Sequence, residues 1–198
     1  HLAWIHNMRK YLLHVLIILF VFIAIPITSA TGGSITLRSY YRNLSVSEVH
    51  SMPNVSIRKI DGYGFYGHST INHDYNLITI GGNMAVVDNA TGLMWHQSGS
   101  RKYMTCKKTK KWIKKLNKSA YAGYQDWRLP TVDEAASLLE SSKKNGDLYI
   151  DPVFSGEQLW IWTGDKCDYT AWFVGFRHGR VNWHDVYSRY IRPVRSMK

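Results

Sequence analysis

The most informative run of the chain is Gly123-Tyr124-Gln125-Asp126-Trp127-Arg128-Leu129-Pro130-Thr131-Val132-Asp133-Glu134-Ala135. A turn at Gly123 leads into a short segment, and Thr131 then opens a helix. Thr131 is a favourable N-cap, and Glu134 three residues later completes a capping box, so that two backbone NH groups gain partners. The run holds no nucleophile and no paired base, which indicates a structural role rather than a catalytic one.

Trp127 lies at the centre of this run, between two residues of opposite charge. We expect Asp126 and Arg128 to pair with each other or with nearby backbone and so to fix the turn. Ala135 and the leucines at 138 and 139 follow at helical spacing and would face a core. The pattern therefore predicts a buried tryptophan at a capped junction between a loop and a helix.

This run and five further segments resemble, in the same order, the Lcl C-terminal domain family, a bacterial group also known as domain of unknown function 1566. The further segments are Val87–Trp95, Leu148–Phe154, Trp160–Thr163, Ala171–Phe176 and Tyr190–Arg195. The family is similar to C-type-lectin-like folds and to formylglycine-generating enzymes. The resemblance implies an α+β, C-type-lectin-like fold in which two helices pack on a small, mostly antiparallel sheet. It implies a fold and not an activity.

The beginning of the chain predicts export. Arg9 and Lys10 precede an apolar run at 12–27, which ends in the small residues Thr28-Ser29-Ala30. This pattern is typical of a signal peptide at 1–30, although the run also approaches the length of an uncleaved membrane anchor. We expect a lead-in segment at 31–84 and the Lcl C-terminal-like domain at 85–198, on a protein that is periplasmic, at the cell surface or secreted.

The lead-in segment contains three recognisable patterns. Leu44–Met52 predicts a short helix, and the glycine- and tyrosine-rich run 62–67 predicts an aromatic loop packed against the domain. Leu77–Ile80 and Met84–Val87 alternate around Gly81-Gly82-Asn83, which is typical of a hairpin. A further strand is expected at Leu93–His96.

The rest of the chain predicts two helices followed by short strands. The helices are expected at about 105–117 and 132–141, each with one apolar face. The strands are expected at Trp160–Thr163, Ala171–Phe176, Arg180–Trp183 and Tyr190–Arg195.

Positive charge is concentrated on the first of these helices. The chain has a net charge of +11, and nine cations with no acid lie between Arg101 and Lys118. Like charges four residues apart repel, so this arrangement indicates an anionic partner, although a solvated surface would explain it too. The polyanion-binding candidates are Lys107, Lys108, Lys111, Lys114, Lys115 and Lys118.

A second set of candidates lies among the C-terminal strands and loops, where lectin-like folds bind ligands. It consists of Trp162, Asp165, Trp183 and His184. Tryptophan faces can stack on sugars, and aspartate and histidine supply directional hydrogen bonds. The calcium motifs of sugar-binding C-type lectins are absent from the sequence, and strand tryptophans are commonly core residues.

No pattern in the sequence supports a metal centre, a cofactor or an enzyme. The two cysteines, Cys106 and Cys167, are far apart, so a Cys-x-x-Cys zinc site is excluded. Family members often carry cysteines where this chain has Ile113 and Pro193, so the resemblance does not indicate a Cys106–Cys167 bridge, which an oxidising compartment would allow. Formylglycine-generating enzymes use a nearby pair of cysteines that this chain lacks.

The function expected from these observations is that of an exported, non-enzymatic binding module for an anionic glycan or cell-surface polymer. The alternative is a structural or protein-interaction domain of the bacterial envelope with no small ligand. Nucleic acid is not expected as a partner of an exported protein, and a membrane is expected only through the N-terminal segment if it stays uncleaved.

Overall fold

The computed structural model describes residues 34–166, 170–184 and 188–197. The predicted signal or anchor run at 12–27 lies outside the described residues, as does Cys167. In the described ranges the α-helices are α1 (Val46–His50), α2 (Cys106–Lys118) and α3 (Val132–Ser137), and a short 3-10 helix spans Tyr121–Gly123. The strands are β1 (Val55–Asp61), β2 (Gly64–Ser69), β3 (Tyr75–Ile80), β4 (Asn83–Asp88), β5 (Leu93–His96), β6 (Trp160–Trp162), β7 (Ala171–Gly175), β8 (Arg180–His184) and β9 (Val194–Ser196).

The strands form two antiparallel sheets. One sheet has the order β1-β2-β8-β7-β6 and the other has the order β3-β4-β5-β9. The predicted α+β class is therefore confirmed. None of the helices in the described parts of the chain has the length and apolar character that a bilayer crossing needs.

The lead-in segment is built into both sheets. Strands β1 and β2 extend the first sheet because β2 pairs with β8, and β3 forms an edge of the second sheet. The run 62–67 was predicted to be an aromatic loop, and this prediction is wrong, since 64–67 begin β2. Phe65 is fully buried and pairs with Val181, so alternate residues of the run face the core rather than forming a loop.

The α-helices α1, α2 and α3 each begin at a side-chain cap. Ser45 caps α1 and Thr105 caps α2, and each hydroxyl accepts a hydrogen bond from a backbone NH of the first turn. The predicted capping box of Thr131 and Glu134 is confirmed at the start of α3. These caps supply partners for backbone donors that a helix start otherwise leaves unpaired.

Helix α3 is shorter than predicted. It ends at Ser137, whereas the pattern indicated about residue 141. The carbonyl of Leu139 accepts a hydrogen bond from Ser69 of β2, and the NH of Glu140 donates to the carbonyl of Tyr149. The backbone after Ser137 is therefore committed to neighbouring segments and is not available for another helical turn.

The main core lies between the two sheets and α3. Strand residues such as Val86, Trp95, Val174 and Val181 pack there with Ala135 of the helix. A smaller cluster joins the outer face of the second sheet to α2. Its buried members are Ala85, Met94, Leu116, Ala122 and Trp127. Helix α2 is thus attached along one face only, and its opposite face is left in solvent.

Candidate functional site

The motif around Trp127 fixes the last turn of α2. The indole NH of Trp127 donates to the carbonyl of Tyr121 at 2.9 Å, and the ring is almost fully buried. The side-chain amide of Asn117, near the end of α2, bonds both the NH and the carbonyl of Trp127, at 2.9 and 2.8 Å. The tryptophan therefore locks the last turn of α2 to the segment that leads into α3.

The two charged neighbours of Trp127 do not pair with each other. The alternative prediction, a bond to nearby backbone, is confirmed for Arg128, which donates to the carbonyl of Leu129 at 3.1 Å. Asp126 accepts from Arg195 of β9 at 2.7 Å, and Arg128 donates to Glu134 at 2.7 Å through each terminal nitrogen. Burial lowers the pKa of Arg128, but the hydrogen bonds and charge of Glu134 outweigh this effect and raise that pKa above its ordinary value. Asp126 therefore ties the junction to β9, and Arg128 ties it to the first turn of α3.

Helix α2 presents its lysines on the solvent side. Thr109 and Leu116 are buried, and Trp112 and Ile113 are half-buried, as the helical spacing predicts. All seven lysines of the helix are exposed: Lys107, Lys108, Lys110, Lys111, Lys114, Lys115 and Lys118. We call these seven residues the lysine face.

The lysine face forms no ion pair within the part of the chain that the structure describes. Over residues 34–166, 170–184 and 188–197, none of its members takes part in an ion pair, and the first turn of α2 contains no acid. By contrast, the exposed Lys143 and Lys144 pair with Asp147 and Glu140 at 2.9 and 2.8 Å. Within the described residues, the positive charge of α2 is therefore not balanced by any ion pair.

Four lysines of the face form one stripe. Lys107, Lys111, Lys115 and Lys118 recur at spacings of four, four and three residues, which places them in a row along the helix. The exposed Arg101 and Lys102 precede the helix. A row of ammonium groups about one helical turn apart can meet successive charges of a linear anionic polymer.

A groove of about 600 Å³ runs along the other edge of the lysine face. Helix α2 forms one wall with Thr109, Lys110, Ile113, Lys114 and Asn117. Across from it stand Arg128 and Leu129 of the motif, together with Tyr41 and Gly164. Sequence reasoning did not include Tyr41, Lys110 or Leu129 among the candidates, because only the folded chain brings these three residues together.

Comparison with known proteins identifies the domain. The family model described as the Lcl C-terminal domain matches residues 84–195, which is more than half of the 198 residues. The chain belongs to the Lcl C-terminal domain family. No curated protein and no solved structure matches the chain. The resemblance noted from the sequence motifs is confirmed for the family.

In this Lcl C-terminal domain the predicted ligand-loop residues do not meet in one place. Trp162 pairs with Phe173, whereas Trp183 pairs with Trp172, the preceding residue of β7. Since successive residues of a strand point to opposite faces, Trp162 and Trp183 lie on opposite faces of the five-stranded sheet. Trp162 is buried, and its indole NH donates to the carbonyl of Met104 at 3.0 Å. The side chain of His184 lies outside the described part of the structure.

Asp165, the remaining loop candidate, is completely buried and fully used by the fold. It accepts two hydrogen bonds from Arg38, at 2.9 and 2.8 Å. It also accepts hydrogen bonds from the backbone NH groups of Arg42 and Val132, both at 2.7 Å. Asp165 therefore ties the lead-in segment to the start of α3 and has no free oxygen face for a ligand.

The structure offers little support for metal chemistry in the described ranges. Within residues 34–166, 170–184 and 188–197, no group of three or more histidine, cysteine, aspartate or glutamate side chains is placed to hold a metal ion. Cys106 is disulfide-bonded, which removes its thiolate from ligand chemistry. Burial, with the charge of Arg192 nearby, lowers the pKa of His96 to about 3, so this imidazole is neutral and accepts from the NH of Gly99.

Proposed function

We propose that this protein is an exported, non-enzymatic binding module that engages an anionic glycan or another cell-surface polyanion through the lysine face. The observation that carries the proposal is the set of seven exposed lysines on α2 with no ion-pair partner among the described residues. A helix surface that served only for solubility would normally mix charges of both signs, because like charges at a spacing of four repel.

The rigid attachment of α2 supports the same proposal. Its last turn is bonded to Trp127, and its apolar face packs on the second sheet and on Leu129. The charges are consequently held on a fixed axis rather than on a mobile loop. A fixed row of charges binds a polyanion with a smaller loss of conformational entropy than a flexible segment does.

Export and a C-type-lectin-like arrangement are parts of this proposal. The apolar run at 12–27 and the small residues at 28–30 support export. The two antiparallel sheets and the small number of helices are compatible with a lectin-like arrangement. We expect the exported protein to begin at Thr31, which N-terminal sequencing would test; a chain still starting at Met8 would make the run an anchor.

The binding proposal can be tested by removing the lysine stripe. A variant with Gln at positions 107, 111, 115 and 118 keeps good helix formers and leaves the buried face of α2 unchanged. Each exposed ion pair contributes about 0.2–1 kcal/mol, so four losses should weaken binding to heparin, used as a model polyanion, by roughly fourfold or more at physiological salt. The measurements are retention on a heparin column across a salt gradient and affinity by calorimetry.

A matched control separates a local site from net charge. Substituting Gln for the exposed cations Arg58, Lys59, Lys143 and Lys166 removes an equal number of charges at other places on the surface. The control should retain most of the heparin affinity. Equal retention of the stripe variant and the wild type would refute the proposal and favour a structural or protein-interaction role.

A further inference from the structure

The polar groups in the walls of the groove beside α2 are already bonded within the protein. The Thr109 hydroxyl donates to the carbonyl of Thr105 at 3.0 Å, and the Tyr41 hydroxyl donates to the carbonyl of Leu129, also at 3.0 Å. The Asn117 amide is held by the backbone of Trp127, and Arg128 is held by Glu134. A ligand rich in hydroxyl groups would find few free directional partners here.

Two kinds of contact remain available to a ligand. The first is apolar surface from Ile113, Leu129 and the ring of Tyr41, which is about half exposed. The second is the pair of ammonium groups of Lys110 and Lys114, which stand one turn apart at the rim and make no ion pair with any described residue. The charge of Arg128 is balanced by Glu134 and adds little net attraction.

The ring of Tyr41 forms a fixed end of the groove. It lies against Gly164, where an added Cβ would come within 2.0 Å of the ring. Its hydroxyl end is anchored to Leu129, which is 88 positions away in sequence. The groove is thus shaped by three separate parts of the chain that the fold holds together, and it is a preformed feature.

We propose that this groove binds a small amphiphilic anion, in which a carboxylate, sulfate or phosphate head meets Lys110 and Lys114 and an apolar body lies on Ile113, Leu129 and Tyr41. A volume of about 600 Å³ is in the ordinary range for sites that enclose a small organic molecule. The head group gains charge complementarity at the rim, and the body gains burial on the apolar floor. This ligand class differs from a hydrophilic polymer on the lysine stripe, which faces away from the groove.

Three simple probes separate the two contributions. Octanoate carries both head and body, acetate carries only the head, and octanol carries only the body. We expect octanoate to bind at least roughly tenfold more tightly than either partial probe, because burial of several methylene groups and the ion pairs act together. Amide chemical shifts of the purified protein should change at 109–117, 128–129 and 164 when octanoate is added. Shifts confined to other regions would overturn the proposal.

Variants of the two rim lysines test the charge contribution. The double variant Lys110→Gln/Lys114→Gln should weaken octanoate binding by roughly five- to tenfold and leave octanol binding unchanged. The matched control Lys108→Gln/Lys115→Gln removes two exposed lysines of α2 that do not line the groove, and it should bind octanoate as the wild type does. Equal loss in both double variants would mean that octanoate senses only the general charge of the helix, which contradicts a groove site.

A third variant tests the apolar body. Ile113→Trp should fill the groove and abolish octanoate binding, while heparin retention on the lysine stripe stays within about twofold of the wild type. The variant with Gln at positions 107, 111, 115 and 118 should give the opposite result. It should lose heparin binding and keep octanoate binding. If octanoate binds the Ile113→Trp variant normally, and that variant is folded by circular dichroism, the groove is not the site.

Discussion

The guanidinium of Arg128 and the carboxylate of Glu134 meet in two parallel hydrogen bonds of 2.7 Å each. Glu134 is completely buried, and one of its oxygens also accepts the NH of Thr131 at 2.8 Å. A single carboxylate thus closes the cap of α3 and holds the arginine of the Trp127 motif. Because Arg128 also borders the groove, the same pair connects the fold of the domain to its candidate binding surface.

Removing Arg128 alone should lower the free energy of unfolding more than removing the charges of both Arg128 and Glu134. Arg128→Met leaves a buried carboxylate without its cation and should lower the free energy of unfolding by about 2–4 kcal/mol. Adding Glu134→Gln keeps an acceptor for Thr131 but removes the unpaired charge, so the double variant should recover part of this loss. Chemical denaturation of the two single variants and the double variant measures the coupling. If the losses of the two single variants add up to the loss of the double variant, Arg128 and Glu134 are not coupled and the prediction is wrong.

The local parts of this arrangement could be predicted from the sequence. The spacing of Thr131 and Glu134 is sufficient to specify a capping box, because both partners lie within one helical turn. The hairpin was predictable for a similar reason. Gly81 and Gly82 join β3 to β4, and both have positive φ, at 55° and 78°, as a two-residue hairpin turn requires.

The tertiary parts could not be predicted in this way. Asp165 and Arg38 are separated by 127 positions, and no local pattern indicates that these two residues meet. A lone aspartate after a tryptophan-rich strand looked like a ligand group, because exposure cannot be inferred from residue type alone. The groove escaped prediction for the same reason, since Tyr41 reaches Leu129 only in the folded chain.

Trp127→Ala should unfold the domain rather than merely alter binding. The ring is almost fully buried, and its indole NH and backbone hold Tyr121 and Asn117. Truncating a buried tryptophan costs about 3–5 kcal/mol, a large share of a typical stability of roughly 5–15 kcal/mol. Thermal unfolding followed by circular dichroism measures the loss. Tyr40→Ala, at an aromatic residue that is 66% exposed, is the control and should leave the melting temperature nearly unchanged.

Asp88 should make the stability of the domain sensitive to acid. Its carboxylate is buried, and although burial alone would raise its pKa, hydrogen bonds from His73 and Thr91 lower that pKa below the ordinary value. A group whose pKa is lowered by folding contributes stability above its unfolded pKa of about 3.9 and loses it as the pH falls through the folded value. Wild type should therefore exceed Asp88→Asn in stability at about pH 5 by roughly 1–3 kcal/mol.

The difference between wild type and Asp88→Asn should shrink as the pH falls toward about 2, where both carry a neutral side chain. Urea unfolding at several pH values measures it. Asp147→Asn is a suitable comparison, because Asp147 is exposed and its pair with Lys143 lies in solvent. That variant should follow the wild type throughout. A gap for Asp88→Asn that stays constant with pH would show that shape, and not ionisation, accounts for its effect.

Repulsion among the lysines of α2 should lower the stability of the domain. A single substitution in the lysine stripe can measure this effect. Lys111 has a lysine four residues away on each side, at 107 and 115, and all three are exposed. Lys111→Glu replaces two repulsive pairs with two attractive ones, each worth about 0.2–0.5 kcal/mol, for a total gain of roughly 1 kcal/mol. For a domain of this size we expect the melting temperature to rise by about 2–4 °C. Lys111→Gln removes the repulsion alone and should give roughly half the rise in melting temperature. Heparin affinity should decrease from the wild type to the Gln variant and again to the Glu variant.

A lower melting temperature for the Glu variant would mean that repulsion among the lysines of α2 does not destabilise the helix. The charge pattern would then no longer indicate an anionic partner.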